Sequence, residues 1–305
     1  MILIVTHKTD FTADFVINKL NRRKIDYKRL NCEDFLSSDF FFKYDPSFSY
    51  LLLGQNDYQA VWFRRTKLPE IKELSNYEKL YVWNEIECFF KNLFSILPVN
   101  WLSSPVSVYE AENKLLQLKA AQELGFDVPN TLLTNSKTEL RDFYYDNGRD
   151  IVVKPISQTR VSNSDASTFI FTNLILPQHI AELEQFDLTP CIFQRKIPKK
   201  YELRVTVVGE QVFAAAIDSQ KDEETKVDWR KKRLKFKEVE LPMDLQNLCV
   251  QLLKTLNLGF GAIDLVKTPS GEYVFLEINP NGQWAWIENQ TGQKISNAII
   301  KYLTQ

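Results

Sequence analysis

The sequence predicts an α/β fold with more than one domain, and three observations carry that reading. The chain opens on a short apolar run, Met1-Ile2-Leu3-Ile4-Val5, with the length of a buried strand. Phe11, Phe15, Val16 and Leu20 then recur at helical spacing, so strand and helix alternate from the start. Near the far end, two apolar-rich segments flank the turn Thr268-Pro269-Ser270-Gly271 and read as a β-hairpin. At 305 residues, the chain has room for roughly two domains, or three small ones, at about 150 residues each.

The elements follow in order. A helix is expected over residues 9–24, a strand over 26–31 and an aromatic hairpin over 40–53. Ala60-Val61-Trp62-Phe63 is another buried strand, ending at Arg64-Arg65, and the aromatic stretch 71–97 suits one or two helices. Pro98 and Pro105 bracket a connector, which sets the first domain at 1–105. One helix is expected over 108–124, stopped by Gly125 with Pro129 beyond it. Ile151-Val152-Val153-Lys154 is a strand closed by Pro155, and the small, polar residues 157–168 read as a flexible loop. Strands over 191–197 and 203–218, a helix over 241–256 and the hairpin 261–279 complete the chain. A central unit at 106–190 and a third at 191–305 result.

Composition removes several functions. The charges nearly cancel, 38 Lys+Arg against 39 Asp+Glu, so the net basic field that nucleic acid or a membrane surface requires is missing. Four dispersed cysteines without a CxxC pair argue against structural zinc or a disulfide framework. With two histidines, any metal is expected to be a hard cation on oxygen ligands. No basic leader or long apolar span is present, and a cytoplasmic location is expected.

The last hairpin is the most informative segment. Side chains alternate along a strand, so Glu277 and Asn279 share a face. Pairing through the turn sets Asp264 opposite Phe275 and diagonal to Glu277, with Ile263, Leu265, Val274, Leu276 and Ile278 on the other face. Two carboxylates and a carboxamide suit magnesium shared with a substrate phosphate. The plain alternative is an amphipathic surface hairpin, against which stands the Asn279-Pro280-Asn281-Gly282 turn on so apolar a strand.

Neither GxxxxGK[ST] nor GxGxxG occurs, so phosphates must be held otherwise. Lys154, finishing a buried strand beside the loop, is the candidate; strand-end lysines also serve as edge gatekeepers. The strand ending Gln194-Arg195-Lys196-Ile197-Pro198 reads as edge-like and free to offer backbone groups to a purine. Glu202 and Arg204 share one face of the next strand, where an acid can accept ribose hydroxyls and an arginine can clamp phosphate. A cross-strand salt bridge is the competing reading of that pair.

The order Lys114, Lys154, residues 194–197, Glu202/Arg204, Asp264, Glu277/Asn279 resembles the ATP-grasp ligases. Within them the chain is similar to ribosomal-peptide maturases of the microviridin and grasp-with-spasm (graspetide) type. The segments Val61-Trp62-Phe63-Arg64-Arg65, Lys199-Lys200-Tyr201-Glu202-Leu203-Arg204 and Asp228-Trp229-Arg230 narrow it to these. The resemblance implies an ATP-grasp fold made of an N-terminal pre-ATP-grasp α/β domain, a central subdomain and a C-terminal nucleotide- and metal-binding subdomain. It implies ATP and Mg²⁺ as cofactors and a ribosomally made precursor peptide, with leader and core, as partner, and a homodimer. Asp or Glu side chains would become acyl phosphates, which Thr/Ser hydroxyls or Lys amines displace to form ω-ester or ω-amide rings.

By that resemblance Lys114 and Lys154 contact phosphates, the backbone at Gln194, Arg195, Lys196 and Ile197 holds adenine, and Glu202 binds ribose. Arg204 lies near the γ-phosphate, and Asp264, Glu277 and Asn279 hold magnesium. Arg230 is expected to touch substrate, while Arg64 and Arg65 either contact the precursor or form structural salt bridges. Two departures stand out: residues 157–168 lack the usual glycines, and Arg195 replaces a frequent hinge acid. Two rivals predict differently: a ligase for free amino acids or small peptides needs no leader, and an ATP-binding regulator releases no ADP.

Overall fold

The computed structural model describes residues 1–157, 160–162, 167–186 and 189–305. An N-terminal parallel sheet has the order Tyr27–Asn31, Ile2–Thr6, Ala60–Phe63, Asn100–Trp101. The helix Phe11–Arg22 begins where the Asp10 carboxylate accepts the Thr12 and Ala13 N–H groups. Its apolar face, Ala13, Val16, Ile17 and Leu20, shares one core with Ile2, Ile4 and Trp62. Ile295, Ile299 and Ile300 of the C-terminal helix Ile295–Leu303 enter that same core. The two ends of the chain are therefore packed together, which fixes Arg64 and Arg65 against the loop after residue 279. The hairpin expected at 40–53 forms as Phe40–Tyr44 and Phe48–Leu52.

A central antiparallel sheet runs Asn173–Leu174, Ile151–Lys154, Cys191–Arg195, Thr131–Thr134. Cys191–Arg195 is paired on both sides, so the edge-like reading of this strand is corrected. The reason lies outside the strand: Ile151–Lys154 and Thr131–Thr134 each bring a register match that local sequence does not show. Of the flexible loop expected at 157–168, Arg160–Ser162 pairs antiparallel with Ser167–Phe169; residues 158–159 and 163–166 lie outside the described residues.

The large antiparallel sheet has the order Phe236–Glu238, Gln211–Ile217, Tyr201–Val208, Phe260–Lys267, Tyr273–Asn279. Helix Met243–Thr255 buries Leu245, Cys249, Leu252 and Leu253 on one side of it. The single helix expected over 108–124 is two, Pro105–Ala111 and Lys114–Leu124. Asn113 breaks it, because its side chain accepts the Leu115 and Leu116 N–H groups and restarts the helix. The break places Lys114 in a first turn. It also leaves Gln117 buried, donating to Ala111 O (2.6 Å) and accepting from Ile278 N (3.0 Å), which ties this helix to the last strand.

Candidate active site

The expected hairpin is present, with a corrected register. A bulge between Asp264 and Leu265 pairs Asp264 with Glu277 and Leu265 with Phe275, leaving Leu276 as the extra residue. The bulge reverses the alternation from there on. Phe275 turns into the core with Ile263, Leu265 and Ile278, while Leu276 joins Glu277 on the face toward the cleft. Two carboxylates thus stand directly opposite one another rather than on a diagonal.

They face a cleft of about 660 Å³ between the central and the large sheet. Lys114, Lys154, Gln194, Arg195, Lys196, Ile197, Glu202, Arg230, Asp264 and Glu277 all line it, together with Arg65. Apolar walls come from Val152 and Val266 as well as Leu276. Positive charge predominates, since Lys199 and Lys226 also reach the cleft.

Arg204 lies beside the acids, being the cross-strand partner of Asp264. Its Nη1 donates to Asp264 Oδ2 at 2.7 Å, so the salt bridge expected as an alternative exists. Asp264 Oδ1 is buried and has no hydrogen-bond partner among the described residues. Burial, with the Glu277 charge adding to it, raises the Asp264 carboxyl above its ordinary range despite Arg204. Glu277 moves the other way: burial opposes its charge, but Lys154, Lys114, Arg230 and Arg204 together outweigh it. Burial pulls the Lys114 and Lys154 ammonium groups below the usual lysine range. Lys114 Nζ donates to Pro155 O at 2.8 Å.

Asn279 is paired with Ala262, two residues before Asp264 on the same strand, and its Oδ1 accepts the Asn281 N–H (3.1 Å). Asn281 O in turn accepts from Arg64 Nη1 at 2.7 Å. Arg64 is 1% exposed and its Nε stands 3.4 Å from Asp10; Arg65 is the one of the two that lines the cleft. Gly282 is required where it is, because a Cβ there would lie 2.5 Å from both Arg204 Nη2 and the Ala262 side chain. Gln194 Nε2 donates to Thr131 Oγ1, and the Arg195 and Lys196 N–H groups go to Asn130 O and Asp150 O.

Arg230 is gripped by Asp228, Nε to Oδ1 at 2.8 Å and Nη2 to Oδ2 at 2.6 Å. That bidentate contact raises the Arg230 guanidinium further above its ordinary range. Asp228 Oδ2 also accepts the Thr172 N–H, and Trp229 packs edge-on against Phe236. Asp228 and Trp229 therefore anchor the start of this segment, while Lys231, Lys232 and Arg233 are exposed, as a solvated charge run would be. Sequence reasoning missed Lys199 as a cleft residue. The signal was available: it stands three residues before Glu202, at the mouth of the acid-bearing strand.

Among the described residues no cluster of three His, Cys, Asp or Glu side chains gathers, and no helix is long and apolar enough to cross a membrane. The donor set nevertheless fits magnesium, which takes one or two carboxylates and completes its shell with water and phosphate oxygens. An orphaned Asp264 oxygen opposite Glu277 is such a pair.

A probable alpha-L-glutamate ligase of Shewanella pealeana is 22% identical over 228 residues, 70% of this chain and 46% of that protein. The chain spans about half the length of the curated relatives it matches. Two solved structures superpose over nearly the whole chain. One is a RiPP-associated ATP-grasp ligase of Chryseobacterium gregarium in complex with ADP and a leader and core peptide (TM-score 0.88, 29% identity, 99% of this chain and 96% of that chain). The other is macrocyclase MdnC of Microcystis aeruginosa bound with precursor peptide MdnA (TM-score 0.87, 29% identity, 100% and 99%). The RimK-like ATP-grasp domain matches residues 111–303, well over half of the sequence, and the chain belongs to that ATP-grasp family.

Proposed function

We propose that this protein is an ATP-dependent ligase that cross-links side chains within a ribosomally made precursor peptide. The observation that carries the reading is the near-complete superposition, at 29% identity, on two enzymes solved with leader, core or precursor peptides. The site chemistry supports it. A carboxylate is a poor acyl donor because oxide is a poor leaving group; phosphorylation supplies a better one. In the first step a peptide Asp or Glu oxygen attacks the γ-phosphorus of ATP, and ADP leaves. In the second a Thr/Ser hydroxyl or Lys amine attacks the acyl phosphate carbon, and inorganic phosphate leaves.

Asp264, Glu277 and Asn279 would hold the magnesium, Asn279 through the second lone pair of its Oδ1. When bound, the ion neutralises charge on the phosphates. Lys114 and Lys154 bind phosphate oxygens, and their burial makes each charge count for more. Gln194, Arg195, Lys196 and Ile197, with Val152 and Leu276 as apolar walls, receive the adenine. Glu202 takes the ribose hydroxyls. Arg204, fixed by Asp264 and Gly282, stabilises charge on the transferring phosphoryl group. Arg230, held by Asp228 on its Nε/Nη2 edge, orients a peptide carboxylate through its remaining Nη N–H groups, Arg65 contributes from the N-terminal side, and Arg64 holds the 281 carbonyl behind it.

The domains are taken as 1–105, 106–190 and 191–305, acting in the cytoplasm as a homodimer. The direct test incubates the protein with ATP, Mg²⁺ and the short Thr/Ser- or Lys- and acid-rich peptide encoded beside its gene. Mass spectrometry should show loss of one water per ring, with one ADP each; an unchanged peptide mass sinks the reading. A small-substrate ligase is the second reading, favoured by the similarity to glutamate ligases. An inactive regulator conflicts with the intact acid pair and predicts no ADP.

A further inference from the structure

Lys199 sits where two functions meet. Its side chain is only 11% exposed, its Nζ stands 3.1 Å from Glu202 Oε1, and it donates to Val227 O at 3.0 Å. Glu202 is the acid assigned to the ribose. Val227 precedes the Asp228-Trp229-Arg230 segment assigned to the peptide. The loop around it is held at separate points. The Thr225 hydroxyl donates to Ser219 O, the Trp229 ring packs on Phe236, and Asp228 accepts the Thr172 and Arg230 N–H groups. Lys199 supplies a direct link from Val227 of this loop to Glu202, beside the route through Ser219, whose side chain also bonds Glu202.

We infer that Lys199 is a positioning residue that couples nucleotide occupancy at Glu202 to the order of the loop carrying Arg230. The inference rests on the nucleotide-site reading above. Without nucleotide, Glu202 Oε1 is buried with no hydrogen bond among the described residues and meets Lys199 only as an ion pair at 3.1 Å, so its orientation is not fixed. Ribose hydroxyls donating to Glu202 favour the carboxylate and fix its orientation. A fixed, charged Glu202 holds the ammonium in place, and the ammonium holds Val227 O. Arg230 is thereby set to receive the peptide after nucleotide has bound, and acyl phosphate is not formed on a misplaced side chain.

The test needs no peptide. Hydrogen exchange is followed by mass spectrometry with and without saturating Mg-AMPPNP. The Arg230 and Lys231 amides, which donate to Asp228 Oδ1 and Asp228 O, report the loop. Residues 194–197 report nucleotide binding itself. In the wild type, nucleotide should slow exchange at 226–231 by about tenfold, a typical coupling factor. Lys199→Met should lose that nucleotide-dependent difference while keeping protection at 194–197, and Lys199→Arg, which retains charge and donors, should restore part of it. A merely structural lysine would loosen the loop equally in both states. Protection at 226–231 that survives in Lys199→Met, or Lys199→Arg behaving no better, overturns the inference. Outright loss of nucleotide binding in Lys199→Met also overturns it, by making Lys199 a phosphate ligand. No protection at 194–197 in the wild type would overturn the nucleotide-site reading and this inference together.

Discussion

Asp264 and Glu277 face each other as direct cross-strand partners, yet their environments drive their acidities apart. Asp264 resists ionisation because it is buried and already opposed by a negative charge. Glu277 accepts ionisation because four cations converge on it. Such divergence is typical of sites built for function rather than stability.

The first prediction separates the two roles of Asp264. Its folded-state pKa is raised above the unfolded value, so stability of the metal-free fold is lost as pH rises from the unfolded value through the folded one, and the full penalty applies above both. Asp264→Asn removes this penalty, and in magnesium-free buffer near pH 7 its melting temperature should equal or exceed that of the wild type. As pH falls through the folded pKa, the wild type protonates and the advantage should shrink. Activity should nevertheless fall by about 10²–10³-fold, the usual loss when one charge-stabilising group leaves a site. Scanning calorimetry at several pH values and ADP release measure the two effects. A variant less stable at pH 7 and unchanged in activity contradicts both assignments.

Lys154 gives a prediction with the opposite sign. Burial lowers its ammonium below the ordinary lysine range, and a bound phosphate favours the protonated form. Nucleotide binding should therefore take up a proton at alkaline pH, and affinity should weaken there before an exposed lysine would titrate. Lys154→Arg, charged at every accessible pH, should flatten the profile. Lys154→Met should weaken binding at all pH values, whereas Arg230→Ala should leave nucleotide affinity nearly unchanged and depress cross-linking. Calorimetric titration with AMPPNP across pH decides this. Equal loss of affinity in the Met and Ala variants would move Arg230 into the phosphate site.

Gly282 tests whether Arg204 must stay where it is. A methyl group there would stand 2.5 Å from Arg204 Nη2 and from the Ala262 side chain, which is closer than contact permits. Gly282→Ala should destabilise the fold by about 1–3 kcal/mol, the cost of overpacking a close-fitting site. Because the displaced atom belongs to Arg204, turnover should fall more than peptide affinity does. A fully active, equally stable Gly282→Ala would show that Arg204 tolerates displacement.

How much of this was legible beforehand depends on whether the signal was local. The acids, the turn at 268–271 and the lysine ending 151–154 were visible because alternation and breakers are properties of adjacent residues. The bulge at Asp264 was not, since nothing in an apolar strand marks which residue is left unpaired. It changed a diagonal contact into a direct one and exchanged the faces of Phe275 and Leu276. The helix break at Asn113 could have been read from a capping residue inside a helical pattern, where the apolar spacing of 108–124 overrode it. The proline after Cys191–Arg195 suggests an edge strand, but its two partners lie 37 or more residues away in sequence. Tertiary pairing of that kind leaves no local trace.

The last prediction concerns what the enzyme accepts, and it separates peptide maturation from small-substrate ligation. Arg65, just beyond a strand of the N-terminal sheet, and Arg230, held by Asp228, line the same cleft. If both arginines bind carboxylates as proposed, groups so far apart in sequence suit a long substrate held at several points. Binding energy from a remote leader can then align the reacting carboxylate with the γ-phosphate, which raises turnover as well as affinity. Core peptide alone should react at least tenfold more slowly than the full precursor, and leader added in trans should restore part of the rate. Arg65→Ala should enlarge the gap between full precursor and core. Initial rates of ADP formation with full precursor, core alone, core plus leader, and free amino acids measure this. Efficient ligation of free amino acids without any leader effect would assign the chain to small-substrate chemistry, and the two arginines would then be gripping one small molecule between them.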